Sequence, residues 1–185
     1  MLKKGMGRGE IDEFLKNKGD FVQVDHLTRF LDIKDIPTDV RRFCYLKLVS
    51  IYERRYMFSE VAKTYGRLAE VALTFNDKID CYVKETEAYA KAGLFEKADE
   101  ALKMAINFGN ASQKAEVLFE IKDFYKKQAE IYEKEKRRNQ AVKIYEKLAS
   151  MNLSENEKFE IKEKLLGLYE NLGKIREYQM LKGKF

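Results

Sequence analysis

The sequence contains no tryptophan, one proline and ten glycines, so few of its 185 residues interrupt regular secondary structure. Proline and glycine are the residues that most often end helices. Six of the glycines lie near the ends of the chain, at positions 5, 7, 9, 19, 173 and 183. A long interior with so few helix-breaking residues predicts a succession of helices.

Cysteine and histidine are also scarce, and their scarcity excludes several kinds of chemistry. Cys44 and Cys81 lie in apolar helical patterns, which predicts buried free thiols rather than a disulfide framework. His26 is the single histidine, so a four-ligand zinc site lacks donors. We expect His26 to be a surface or packing residue rather than a base or ligand. No phosphate-binding loop, nucleophile elbow or dinucleotide fingerprint is present, and the sequence predicts a non-enzyme without cofactor or metal.

Long apolar runs are absent as well. No run approaches the ~20 residues that span a bilayer, and the N-terminal segment MLKKGMGRGE has positive charge without an apolar stretch after it. These features predict a soluble, cytoplasmic protein. The net charge of +5 and the pI of 9.0 suit nucleic acid, a ribosome surface, anionic lipid or an acidic protein equally well.

Aromatic and small residues recur at fixed distances from four tyrosines. The clearest copy is AYAKAGLFEKADEALKMA (88–105), in which the origin is Tyr89. Its matching positions are Tyr82, Phe95, Ala98, Leu102 and Ala105. The same offsets from Tyr52 and Tyr132 give equivalent residues, with Arg138 as the polar exception, whereas the copy at Tyr169 is degraded. Because these spacings place each set on one helix face, each copy predicts a hairpin of two helices.

Each predicted hairpin needs a short turn four residues after its tyrosine. Gly93 and Gly173 occupy that position in two copies and readily adopt a positive φ. Tyr56 and Lys136 occupy it in the others, so we expect a different turn there.

The copies are 37, 43 and 37 residues apart, and the added residues predict lengthened helices. The longest covers 113–136 after a break at 109–112. Ser154 followed by Glu157 predicts a capping box before the last hairpin.

The matched residues resemble tetratricopeptide (TPR) repeats over about residues 40–185. Three features depart from the standard unit: the spacing exceeds 34 residues, Tyr82 replaces the usual Trp, and Glu85-Thr86 replaces a Leu-Gly pair. No proline closes a unit. The long helices are similar to those of the soluble NSF attachment proteins. The resemblance implies an all-α fold, a right-handed α-α superhelix (helical-hairpin solenoid) of about four TPR-like repeats plus N-terminal helices.

The first 37 residues do not follow the repeat. GEIDEFLKNKGD and VDHLTRFLDIKDIP predict two short helices joined by FVQV, and these helices could cap the stack. The predicted domains are therefore 1–37 and the repeat domain 38–185. A helix-turn-helix DNA reader is disfavoured because the second helix is not basic.

The resemblance implies a non-enzymatic adaptor or scaffold that binds a partner protein in a concave groove or at the open C-terminal end. In TPR repeats the first helix of each hairpin lines the groove. The corresponding predicted partner-binding residues are Val83, Glu87, Lys91, Lys126, Glu130 and Lys134. Their mixed charge suits a helix or an extended charged segment, while a carboxylate clamp would need Asn in place of Glu87 and Glu130. A merely solvated face stays an alternative.

The runner-up function is an RNA- or ribosome-associated factor that uses basic edges of the solenoid. The residues of these edges are Lys136, Arg137, Arg138, Lys182 and Lys184. A further expectation concerns the last hairpin, whose apolar residues predict a face covered by a cap, a homodimer partner or a larger assembly. These residues are Leu165, Leu168, Leu172, Ile175, Leu181 and Phe185.

Overall fold

The structure, a computed structural model, describes residues 1–183, which form ten helices and no strand. The helices are α1 (Arg8–Leu15), α2 (Asp20–Leu31), α3 (Thr38–Arg54), α4 (Phe58–Glu70), α5 (Phe75–Lys91), α6 (Phe95–Phe108), α7 (Ala111–Lys134), α8 (Arg138–Ala149), α9 (Glu155–Asn171) and α10 (Ile175–Lys182). Each helix from α2 to α5 packs against the next helix in the chain, and α9 packs against both α8 and α10. The predicted all-α class is confirmed.

The helix contacts divide the chain into two compact units, Met1–Lys114 (unit 1) and Ala115–Phe185 (unit 2). The domain boundary that the sequence predicts, between residues 37 and 38, lies within unit 1. In the structure α2 packs against α3, and the Asp20 carboxylate pairs with the Arg54 guanidinium at 2.8 Å. The two N-terminal helices therefore belong to the same unit as α3.

The predicted connection FVQV is wrong, because residues 21–24 lie inside α2. The helix begins at Asp20, whose carboxylate in the first turn interacts favourably with the helix dipole. Leu27 and Phe30 are buried and continue the amphipathic pattern. Burial of this apolar face stabilises the helix in spite of the two β-branched valines, which have a lower helix propensity.

All four hairpin turns have the same backbone geometry. The residue four positions after each repeat tyrosine has a positive φ, which is 56° at Tyr56, 75° at Gly93, 59° at Lys136 and 66° at Gly173. In each turn the next residue donates its N–H to the tyrosine carbonyl: Met57 to Tyr52, Leu94 to Tyr89, Arg137 to Tyr132 and Lys174 to Tyr169, at 2.8–2.9 Å. These are Schellman caps. The expectation of a different turn at Tyr56 and Lys136 is wrong, because the two helices held by each cap impose the left-handed conformation on these residues.

The repeat positions form the cores of the hairpins. The buried offset residues are Ala98, Leu102 and Ala105 in the second copy and Ala141, Tyr145 and Leu148 in the third. Arg138, the polar exception, is exposed and begins α8. The second and third hairpins thus bury a stripe of residues at the repeat positions, whereas α10 of the fourth hairpin has no buried residue.

Two further predictions of local structure are confirmed. Helix α7 is a single helix of 24 residues, about 36 Å long. Ser154 and Glu157 form the predicted capping box of α9.

The last helix, α10, has no buried residue. Ile175 is 68% exposed and Met180 is 61% exposed. Leu165 and Leu168, which the sequence placed on an uncovered face, are buried. Of the apolar residues that the sequence placed on this face, Ile175 on α10 is therefore exposed, whereas Leu165 and Leu168 on α9 are covered. Phe185 lies outside the described residues.

Candidate functional site

The predicted groove residues of unit 1 differ in exposure. Val83 is only 3% exposed, so its side chain packs in the interior and is not available to a partner. The Glu87 carboxylate lies 3.2 Å from the Lys84 ammonium. Lys91 is half-buried, with its ammonium 5.7 Å from the centre of the Phe58 ring. Of the three predicted residues, two thus contribute to the surface of α5.

The predicted groove residues of unit 2 lie on α7. The Lys126 ammonium is 2.9 Å from the Glu157 carboxylate, which is the capping residue of α9. This ion pair and the bonds to Ser154 lower the pKa of Glu157 to about 2. Glu130 and Lys134 are exposed. Lys126 therefore joins two helices, while Glu130 and Lys134 remain on the accessible face.

An open cleft of about 510 Å³ lies between α7 and α9 in unit 2. Its lining residues are Glu133, Phe159, Glu160, Glu163, Lys164, Gly167, Leu168 and Asn171. Phe159 is 67% exposed although it is aromatic. Leu168 is buried beneath the surface. The cleft thus combines an accessible ring with several charged side chains.

Glu133 is the most highly bonded polar residue of this α7–α9 cleft. Its carboxylate accepts a hydrogen bond from the Tyr145 hydroxyl on α8 and lies 3.4 Å from the Lys164 ammonium. The pKa of Tyr145 is raised by burial, by this hydrogen bond and by the charges of Glu133, Glu130 and Glu160. Several carboxylates therefore approach one hydroxyl group.

Gly167 lies near the middle of the cleft, within α9. A methyl group built at this position would meet no atom within 4 Å. Glycine costs a helix interior about 1 kcal/mol relative to alanine. Gly66 on α4 provides the contrast, because a methyl group there would come within 3.0–3.2 Å of the Glu85 carboxylate. The close Glu85 carboxylate explains why position 66 is a glycine, whereas no contact among the described residues explains the glycine at position 167.

Four cleft residues were missed from the sequence although the repeat offsets could have found them. The residues 37 positions after Asp123, Lys126, Glu130 and Lys134 are Glu160, Glu163, Gly167 and Asn171, and all four line the cleft. The degraded fourth copy obscured this correspondence, because its second helix no longer matches the pattern.

The predicted basic edge lies at the turn between α7 and α8. Lys136, Arg137 and Arg138 are exposed. The Arg137 guanidinium stacks 4.5 Å from the centre of the Tyr132 ring and lies 3.3 Å from the Glu135 carboxylate. Lys182 is exposed on α10, with its ammonium 5.6 Å from the Tyr178 ring; Lys184 lies outside the described residues.

A second cavity, also of about 510 Å³, lies in unit 1 among α1, α2 and α3. Its charged side chains are paired with one another or with neighbours. Lys47 pairs with Asp12, and Arg54 pairs with Asp20 at 2.8 Å. This cavity consequently has no strong excess of one charge.

The thiols and the histidine have packing roles. Burial raises the pKa of Cys44 to about 12 and that of Cys81 to about 11, so neither thiol is an activated nucleophile. His26 packs edge-on against Phe14, with ring centres 5.1 Å apart. Within residues 1–183, no group of three or more His, Cys, Asp and Glu side chains is arranged to hold a metal ion.

Among the described residues, no helix combines the length and apolar character needed to span a membrane. Comparison with family models, with curated proteins and with solved structures yields no match to this chain.

Proposed function

We propose that this chain is a non-enzymatic, TPR-like interaction protein, an adaptor or scaffold that holds a segment of a partner protein in the α7–α9 cleft. The observation on which the proposal rests is Gly167. A glycine within a helix costs stability, and within residues 1–183 no neighbouring atom lies within 4 Å of a methyl group built at Gly167. Glycine allows another backbone to approach a helix closely. The exposed Phe159 lies about two turns earlier on α9 and offers the partner an aromatic contact of the kind enriched at protein interfaces.

A crosslinking experiment can locate the partner-binding surface. A photoreactive phenylalanine analogue replaces Phe159 in the cleft, Ile175 on α10 or Arg138 at the basic edge, and each protein is irradiated in native lysate. We expect position 159 to give a discrete crosslinked product that excess unlabelled wild-type protein removes. Crosslinking only from position 175 would contradict the cleft and indicate that the partner binds to α10.

Substitution of Gly167 provides the matched test of the cleft. Gly167→Ala is expected to raise the free energy of unfolding by up to about 1 kcal/mol. Gly167→Leu fills the space above the helix, and we expect it to abolish the crosslink from position 159 while the circular dichroism spectrum is retained. A crosslink that persists in Gly167→Leu would argue against this site.

The basic edge supports a second candidate function, an RNA- or ribosome-associated factor. Lys136 and Arg138 are exposed at the same turn, on either side of Arg137, whose guanidinium lies 3.3 Å from the Glu135 carboxylate. Exposed cations at a turn can reach phosphate groups. If this function holds, the logarithm of the RNA-binding constant will fall linearly with the logarithm of the salt concentration. RNA binding will be lost in Lys136→Glu/Arg138→Glu, whereas Gly167→Leu will bind RNA as wild type does.

A further inference from the structure

We infer that the α7–α9 cleft binds a positively charged protein segment that presents an apolar side chain between Lys or Arg residues. The inference rests on the proposed function and specifies the chemistry of the partner. It follows from the charge of the cleft, from the neighbouring cations and from the surface of α9.

Carboxylates outnumber cations in and beside the cleft. The carboxylates are Glu130, Glu133, Glu160 and Glu163, and the cations are Lys134 and Lys164. The cleft region therefore has an excess of two negative charges in a chain whose net charge is +5. Charge complementarity favours partners of opposite sign and disfavours those of like sign.

The other lysines of this part of α7 are engaged elsewhere. The Lys126 ammonium lies 2.9 Å from the Glu157 carboxylate, and the Lys127 ammonium lies 2.6 Å from the Asp123 carboxylate. Among the described residues that line the cleft, Lys164 is the cation, and its ammonium lies 3.4 Å from the Glu133 carboxylate. The carboxylates of Glu160 and Glu163 are therefore the groups that a basic partner would meet.

The surface of α9 adds an apolar contact to the charged rim. Phe159, Glu163, Gly167 and Asn171 follow one another at intervals of four residues, so they lie along one face of the helix. This face is about 18 Å long, which equals five to six extended residues or about twelve residues of a helix. A segment of that length can place an apolar side chain on Phe159 while its Lys or Arg residues reach Glu160 and Glu163.

Three synthetic peptides test the charge preference by fluorescence anisotropy with the full chain. Each has about twelve residues and the same leucine spacing: a basic peptide of three Lys-Ala-Leu-Lys units, a neutral one with Gln in place of Lys, and an acidic one with Glu in place of Lys. We expect the basic peptide to bind best and the acidic peptide to bind least. Raising the salt concentration is expected to weaken the binding of the basic peptide several-fold, because salt screens exposed charges.

Charge variants of the cleft locate the binding. Glu160→Gln/Glu163→Gln is expected to weaken binding of the basic peptide about tenfold, which corresponds to about 1.4 kcal/mol. Lys164→Gln is expected to strengthen it, because the cleft becomes more negative. The control Glu116→Gln/Glu177→Gln removes the same charge from exposed positions of unit 2 outside the cleft lining and is expected to change binding less than about twofold.

The outcomes separate this inference from the proposed function. If all three peptides bind equally and Gly167→Leu abolishes their binding, the cleft is a partner site but the preference for a basic segment is wrong. If the basic peptide binds equally well to Glu160→Gln/Glu163→Gln and to wild type, the inference is also overturned. If Gly167→Leu has no effect on either the peptides or the crosslink from position 159, the proposed function itself fails.

Discussion

Replacing Glu85 with Gln is expected to stabilise unit 1 above neutral pH and to have little effect near pH 5. Glu85 is half-buried on α5, with its carboxylate directly over Gly66 of α4. Burial and the nearby charge of Glu70 raise the pKa of Glu85 to about 7. Burial raises the pKa of Tyr82, Tyr89 and Cys81 on α5, and the charge of the Glu85 carboxylate raises each pKa further.

The sign of the effect follows from the raised pKa of Glu85. Because the folded state binds the proton more tightly than the unfolded state, the protonated carboxyl favours folding, and this contribution is lost as the pH rises from about 4.5 to about 7. One pKa unit corresponds to about 1.4 kcal/mol, so the full shift sets an upper bound of about 3 kcal/mol. We expect Glu85→Gln to recover about 1 to 2 kcal/mol of unfolding free energy at about pH 8, because the buried amide still lacks good partners.

Chemical denaturation followed by far-UV circular dichroism at about pH 5 and about pH 8 measures the difference between Glu85→Gln and wild type. Amide hydrogen exchange of α4 and α5 assigns the change to unit 1, since two-unit chains need not unfold in one step. Glu96→Gln removes the same charge from an exposed position of α6 and should shift the unfolding free energy by no more than about 0.5 kcal/mol. The reasoning would be refuted if Glu85→Gln lowered the unfolding free energy at about pH 8, or if it changed the unfolding free energy equally at both pH values.

Other perturbations test the caps and the ion pair of the repeats. Lys136→Gly is expected to raise the unfolding free energy by about 0.5 to 1 kcal/mol, because glycine relieves the positive φ of 59°; denaturation curves with a lower midpoint would contradict this. Gly93→Ala is expected to lower it by about 1 kcal/mol, since its φ is 75°. Glu157→Gln is expected to lower the unfolding free energy by about 1 to 2 kcal/mol at pH 7, because bonds to Lys126 and Ser154 lower the native pKa of Glu157 to about 2. This loss is smaller than the full pKa shift implies, since solvent screens the ion pair. The wild-type protein should lose the same stability as the pH falls from about 4.5 to about 2. A Glu157→Gln protein that is as stable as wild type at pH 7 would count against a stabilising role of this ion pair.

The hairpins could be predicted because their signals are local. The offset from each repeat tyrosine identifies one helix face, and the buried residues Ala98 and Ala105 occupy that face as expected. Ser154 and Glu157 likewise form a cap within one turn of chain. Such features depend on residues a few positions apart, so the sequence contains both partners of each interaction.

The candidate site could be predicted only in part, because exposure depends on the neighbouring helices. Val83 and Lys126 lie at the same offset from their repeat tyrosines, yet Val83 is buried while Lys126 pairs with Glu157. The sequence distinguishes the two by polarity but does not specify which helix covers Val83. The open space over Gly167 is likewise a property of the tertiary structure, since the same residue type at Gly66 is covered by Glu85.

The amino-acid sequence by itself determined the all-α class, the long α7 and the four hairpins, because helix periodicity, capping residues and turn positions act over short distances. Only the tertiary structure decided that Tyr56 and Lys136 adopt the same positive φ as the glycines, since the packed helices on either side of each turn impose it. It also decided which charged side chains of α7 and α9 face one another. That arrangement depends on contacts between residues more than twenty positions apart, such as Glu133 with Lys164, and spacing along the chain does not encode such contacts.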